Sequence, residues 1–168
     1  MDVELINRQQ RVPLDEESLV RAVRHVLAKE GVQSGSVSIA VVDDQEMREL
    51  NRQYLQHDWS TDVLSFTFAW DGAHLDGELI LGADTGSRVA AGYHGAAADE
   101  LAWYAVHGAL HLVGYDDQEP NDRQRMRAAE RSYLLDLGLT IPPMEEMDQR
   151  TPAPQLSSLE EPEPHLEC

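Results

Sequence analysis

Val106-His107-Gly108-Ala109-Leu110-His111-Leu112-Val113-Gly114-Tyr115-Asp116-Asp117 is the stretch on which the reading of this chain turns. His107 and His111 are separated by one helical turn, so a helix stacks both imidazoles on one face, close enough to share a metal ion. The Ala-rich, apolar run from Ala96 to Val113 predicts that helix and predicts that it is buried. Gly114 can take the left-handed conformation that ends a helix and turns the chain back. Asp117 then arrives where a third ligand is needed, with Asp116 as the alternative. Two imidazoles and a carboxylate leave one tetrahedral position open for water, which is the catalytic pattern for a single Zn2+. The plain alternative is a chance His pair, one ring being a core histidine bonded to a carbonyl, with Asp116 capping a turn. His25, His57, His74, His94 and His165 lack such spacing and read as solvated.

Outward from this stretch the pattern is mixed α/β. Val3 to Asn7 reads as a short first strand. Asp15 can cap a helix from Leu14 to Glu30, whose Leu19, Val23, Val26 and Leu27 share a face, with Gly31 as its stop. Ser36 to Val42 is β-branched and reads as a strand. Asp43 or Asp44 caps a second helix with Met47, Leu50 and Tyr54 on one side. Asp62 to Phe68 and Gly77 to Leu81 read as strands joined through Trp70-Asp71-Gly72 as an antiparallel hairpin. Asp84 to Tyr93 and Asp122 to Leu137 are further helices, the last with Met126, Ala129, Tyr133 and Leu137 inward. The expectation is an α+β domain over residues 1–142: a small mixed sheet of about four strands, about five helices, and the metal site on a buried helix and the following loop. Residues 143–168 are rich in Pro, Glu and Ser and read as a disordered acidic tail.

Composition narrows the function classes. The chain has 168 residues, 42% of them apolar, which suits one globular domain with a real core. No apolar run approaches a bilayer span, and MDVELINRQQ lacks the features of a signal peptide. The single cysteine, Cys168, excludes an internal disulfide and leaves His and carboxylates as metal ligands. The expected setting is cytoplasmic, without a membrane partner. Thirteen basic against 31 acidic residues give a net charge of -18, so any polyanion binding requires a local basic patch.

The metal stretch is similar to the extended zinc signature of metzincin proteases, but those carry a general-base Glu after the first His, where this chain has Gly108. It resembles more closely the YbeY family of ribosomal-RNA maturation endoribonucleases, whose signature HGxLHLxGYDH it matches at every specified position except the last, where Asp117 replaces His. Leu50-Asn51, Tyr54, Asp58 and Thr61-Asp62-Val63-Leu64-Ser65-Phe66 are similar to the family segment LNxxYRxxDxPT(D/N)VLSF. Gly77-Glu78-Leu79-Ile80, Tyr93, Glu100-Leu101-Ala102, Met126, Glu130 and Leu137-Gly138 extend the resemblance over most of residues 1–140. It implies a metal in a cleft of a small α/β fold, cleavage of single-stranded RNA in ribosomal-RNA maturation and ribosome quality control, and the small ribosomal subunit as partner.

The chain departs from the family at three places. Leu55 stands where the family has Arg, which removes a bidentate phosphate grip. Ser60 stands where it has Pro. Asp117 in place of His neutralises part of the ion's charge, so the metal should be a weaker Lewis acid with some shift towards harder ions such as manganese. For the chemistry, Ser65, Asp58 and Asp116 are the candidates beside the ligands His107, His111 and Asp117. A metallohydrolase of a different substrate, and a non-enzymatic ribosome assembly factor with a structural zinc, are the competing readings. The oligomeric state is not legible.

Overall fold

The computed structural model describes residues 1–56, 61–93 and 95–139, and the short strand Leu156–Ser157. Asp58 and Ser60, and the acidic segment 143–168 apart from that strand, lie outside the described residues. The element order is β1 (Asp2–Asn7), α1 (Glu16–Lys29), β2 (Ser34–Val42), α2 (Asp44–Leu55), β3 (Val63–Trp70), β4 (His74–Gly82), α3 (Ala83–Gly92), α4 (Ala97–Leu112), α5 (Pro120–Asp136) and β5 (Leu156–Ser157).

The helices start where the sequence offers caps. Asp15 accepts from the Ser18 amide at 3.1 Å, and Asp43, rather than Asp44, accepts from the Glu46 amide at 2.9 Å. Helix α5 begins at Pro120, two residues before Asp122, because proline suits the first helical turn. Strand β4 begins at His74, three residues before Gly77, because the turn is tighter than expected: Asp71 Oδ1 accepts from the amides of Ala73 and His74.

The sheet runs β1-β2-β4-β3-β5. Strands β1, β2 and β4 are parallel, and β3 returns antiparallel to β4 as the expected hairpin, with an irregularity between Thr67 and Ala69. Leu156–Ser157 pairs in parallel with Phe66 and Thr67 on the outer side of β3. The alternation of strand side chains makes two cores. Val37, Ile39, Val41, Val63, Leu79 and Leu81 face α1 and α4 in the larger one. Ala40, Val42, Leu64, Phe66 and Ile80 gather with Met47 of α2 in the smaller one.

Helix α4 is the centre of the larger core. Every residue from Glu100 to Leu112 is buried. Such a helix must approach its sheet closely, and Gly108 allows it. A Cβ there would lie 2.8 Å from Leu79 Cδ2 and 3.1 Å from both Ser65 Oγ and Val63 Cγ2. The close approach that Gly108 permits is therefore to side chains of β3 and β4, which would have to shift to admit a larger residue at the position. Among the described residues no helix is long and apolar enough to cross a membrane.

Candidate metal centre

The last two turns of α4 carry His107 and His111, and the chain then reverses in a Schellman motif. Gly114, at φ +95°, sits where the left-handed conformation is needed. The amide of Tyr115 reaches the Leu110 carbonyl at 3.1 Å, and that of Gly114 reaches His111 at 3.0 Å. Asp116 Oδ1 then accepts from the amides of Asp117 and Gln118 at 2.7 and 3.1 Å. From α5, Arg123 donates Nε to the Asp117 carbonyl at 2.8 Å and NH2 to that of Gln118 at 3.0 Å. These bonds turn the Asp117 carboxylate back onto the two imidazoles.

The three side chains converge. One donor atom from each of His107, His111 and Asp117 lies within 4.8 Å of the others, and all three residues are buried. The Nε2 atoms of the two rings are 2.9 Å apart. Asp117 Oδ2 is 3.8 Å from Nε2 of His107 and 3.7 Å from that of His111. Nitrogen and oxygen ligands about 2.0–2.1 Å from a tetrahedral zinc stand about 3.3 Å from each other, and the observed triangle brackets that value.

The outer nitrogens fix the direction of the inner ones. Nδ1 of His107 lies 2.6 Å from Glu130 Oε1, and Nδ1 of His111 lies 2.8 Å from the Tyr115 carbonyl. Both partners accept, so in the neutral tautomer each Nδ1 carries the proton and each Nε2 presents a lone pair. Asp117 Oδ2 is buried without a hydrogen-bond donor. With both rings neutral, three acceptors aimed at one buried point are satisfied together by a metal ion. The residues present fit a metal ion.

Electrostatics agree with that geometry. Burial first, then His107, pushes the pKa of His111 down to about 3, so it stays a neutral ligand. Burial opposes charge on His107, but the hydrogen bond and charge of Glu130, with Asp62 and Asp117 adding, raise its pKa. Burial likewise opposes charge on Glu130, yet His107 and Arg127 together hold it below the usual carboxylate range. Glu130 is fully buried and satisfied on both oxygens: Oε2 accepts from Trp103 Nε1 at 3.2 Å and from Arg127 at 2.9 Å. Burial raises Asp117 against the pull of His107 and Arg127.

The remaining candidates are placed differently. Ser65 gives its hydroxyl to the Gly108 carbonyl at 3.4 Å, on the sheet side of α4. Asp116 is occupied in the turn. Leu55 packs partly buried against the smaller core. His25 and His74 are not bare: His25 lies 3.0 Å from Asp136 and His74 3.0 Å from Asp76. His57, His94 and His165 lie outside the described residues.

Sequence reasoning missed the role of Glu130 with Arg127, which the structure sets on the inner face of α5 beside Met126 and Leu134, while Ala129, Tyr133 and Leu137 are only partly buried. Two charges within an inward stripe were the available signal. Asp62, which the sequence places structurally at the turn into the strand, is also a carboxyl whose pKa is raised by burial and whose charge acts on His107. Its Oδ1 accepts from the Val63 amide at 2.8 Å.

Comparison with known proteins gives a consistent result. A family model described as Endoribonuclease YbeY matches residues 4–138. The endoribonuclease YbeY of Chlorobium phaeovibrioides is 36% identical over 149 residues, covering 89% of this chain and 99% of the relative. That of Carboxydothermus hydrogenoformans is 39% identical over 140 residues, covering 81% and 97%. The solution structure of TM1509 from Thermotoga maritima shares the fold with a TM-score of 0.54 at 23% identity, over 82% of this chain and 89% of that one. With its two histidines and returning aspartate set in that shared frame, the chain belongs to the YbeY endoribonuclease family.

Proposed function

We propose that this chain is a metal-dependent endoribonuclease that hydrolyses phosphodiester bonds of single-stranded RNA in ribosomal-RNA maturation and ribosome quality control. Its metal is one Zn2+ held by His107, His111 and Asp117, and its setting is the cytoplasm, at the small ribosomal subunit. The observation that carries the reading is the triangle of three buried acceptors whose outer nitrogens are already engaged by Glu130 and the Tyr115 carbonyl. When bound, the ion supplies a Lewis acid for a phosphoryl oxygen and lowers the pKa of water.

The protein's own residues supply the rest. Hydrolysis adds hydroxide to phosphorus and a proton to the leaving oxygen, so one group must accept a proton and return it. Asp58 and Asp116 are the carboxylates proposed for that role, while Asp62, within electrostatic reach of His107, orders the turn into β3 by accepting from the Val63 amide. Glu130 holds the His107 ring and its tautomer. Asp116 holds the ligand loop. Ser65 is assigned to substrate contact. Leu55, in place of the family arginine, offers no guanidinium to the phosphate.

The test is cleavage of single-stranded RNA by the purified protein, with His111→Ala as its control and the bound metal measured in both. Wild-type cleavage with zinc near one per chain, and loss of both in the variant, is expected. Equal cleavage by the two proteins removes the proposal, and stoichiometric manganese in place of zinc changes the ion.

A further inference from the structure

Two supports of the metal triangle meet at a residue far from it in sequence. Glu30, the C-cap residue of α1, accepts two phenolic hydroxyls on one oxygen: Tyr115 at 3.1 Å and Tyr133 at 2.5 Å. Tyr115 belongs to the segment that leaves α4. Its carbonyl is the acceptor for His111 Nδ1, and Asp117 follows two residues later. Tyr133 lies one turn beyond Glu130 on α5, and Glu130 fixes His107. One carboxylate oxygen thus ties the loop that orients His111 and delivers Asp117 to the helix that orients His107.

The tie is directional. Both hydroxyls donate to the same atom, so moving either tyrosine moves the other's partner. The edge of the His25 ring against Tyr133, with centroids 5.9 Å apart, and the His25–Asp136 contact hold α5 to α1 at the same end without touching Glu30. They secure the helix, whereas Glu30 sets the relation of α5 to the ligand loop.

We propose that Glu30 is a positioning residue of the metal centre, acting through Tyr115 on His111 and Asp117 and through Tyr133 on Glu130 and His107. The role belongs to the carboxylate oxygen that accepts both hydroxyls. It rests on the metal-centre reading above.

The test is zinc affinity of the full chain, measured by competition with a chromophoric chelator, together with the visible absorption of the cobalt-loaded protein. Glu30→Ala should weaken zinc binding roughly 3- to 10-fold, less than the roughly 10- to 100-fold that direct partners of metal ligands cost because Glu30 acts one step further out, and should alter the cobalt spectrum. Glu30→Gln keeps an oxygen at the same place and should stay within about twofold of wild type with an unchanged spectrum. Tyr115→Phe should fall between them. His25→Ala should lower thermal stability and leave affinity alone. Wild-type affinity in a folded Glu30→Ala protein overturns the proposal, as does equal loss in Glu30→Ala and Glu30→Gln. If Glu30→Ala does not fold, Tyr115→Phe decides on the same terms. A wild-type chain that binds no zinc sinks the metal-centre reading itself, a different result from a wild type that binds while Glu30→Ala binds equally well.

Discussion

The two faces of the sheet are built to different tolerances. On one, α4 is pressed against β3 and β4 so closely that a Cβ at Gly108 would force their side chains to shift, and Glu130 behind the histidines is bonded to both His107 and Arg127. On the other, α2 covers only part of the strands. A cavity there is lined by Arg8, Leu50, Tyr54 and Phe66, and Phe68 is 58% exposed. Close packing and a buried polar network accompany the face that presents the metal ligands; on the opposite face the described residues leave a cavity and an exposed Phe68. Precision in a ligand triangle comes from the layer behind it.

That contrast can be broken most sharply at Glu130. Glu130→Ala leaves Arg127 buried without its carboxylate and His107 without its orienting acceptor. It should cost about 3–5 kcal/mol of stability by chemical denaturation and also weaken zinc binding. Loss of stability with intact affinity would separate packing from ligand positioning.

A titration probes the same side more gently. In the metal-free protein the raised pKa of His107 favours the fold below its ordinary value of 6.5, and that contribution is lost as pH rises through the folded value. Zinc needs the neutral ring and an ionised Asp117, whose pKa is also raised, so binding has the opposite slope. The gap between zinc-loaded and metal-free melting temperatures should therefore widen from about pH 6 to about pH 8. A constant gap across this range contradicts the assignment of these ligands. The smallest effect belongs to the other face: Phe68→Ser should change stability by within about 0.5 kcal/mol and leave zinc affinity unaltered. A large loss there would mean that the two faces are not independent.

Much of the fold was legible because periodicity and caps agreed. Strands β1 to β4, the hairpin and the five helices follow from alternation, from Asp15 and Asp43, and from Gly31 and Gly114, whereas the pairing of Leu156–Ser157 with β3 does not. The ligand trio was legible because His107, His111, Gly114 and Asp117 are local in sequence, and the geometry of one helix end relates them. What escaped was non-local. Glu130 reaches His107 from another helix, Glu30 reaches Tyr115 from across the domain, and burial raises the Asp62 pKa through packing that no local pattern encodes. Gly108 was legible as a position of close approach, but the sheet side chains that approach it became identifiable only once the strands had been placed.

The reversal after α4 has a thermodynamic consequence. Two backbone hydrogen bonds close it at Gly114 and Tyr115, and two more bonds from Asp116 hold the next amides, so the donor atoms are in place when the domain folds. The ordering entropy is spent before any ion arrives. Metal capture then resembles docking into a rigid receptor, with a heat-capacity change near zero and no accompanying collapse of the chain, unlike modules whose folding waits for zinc.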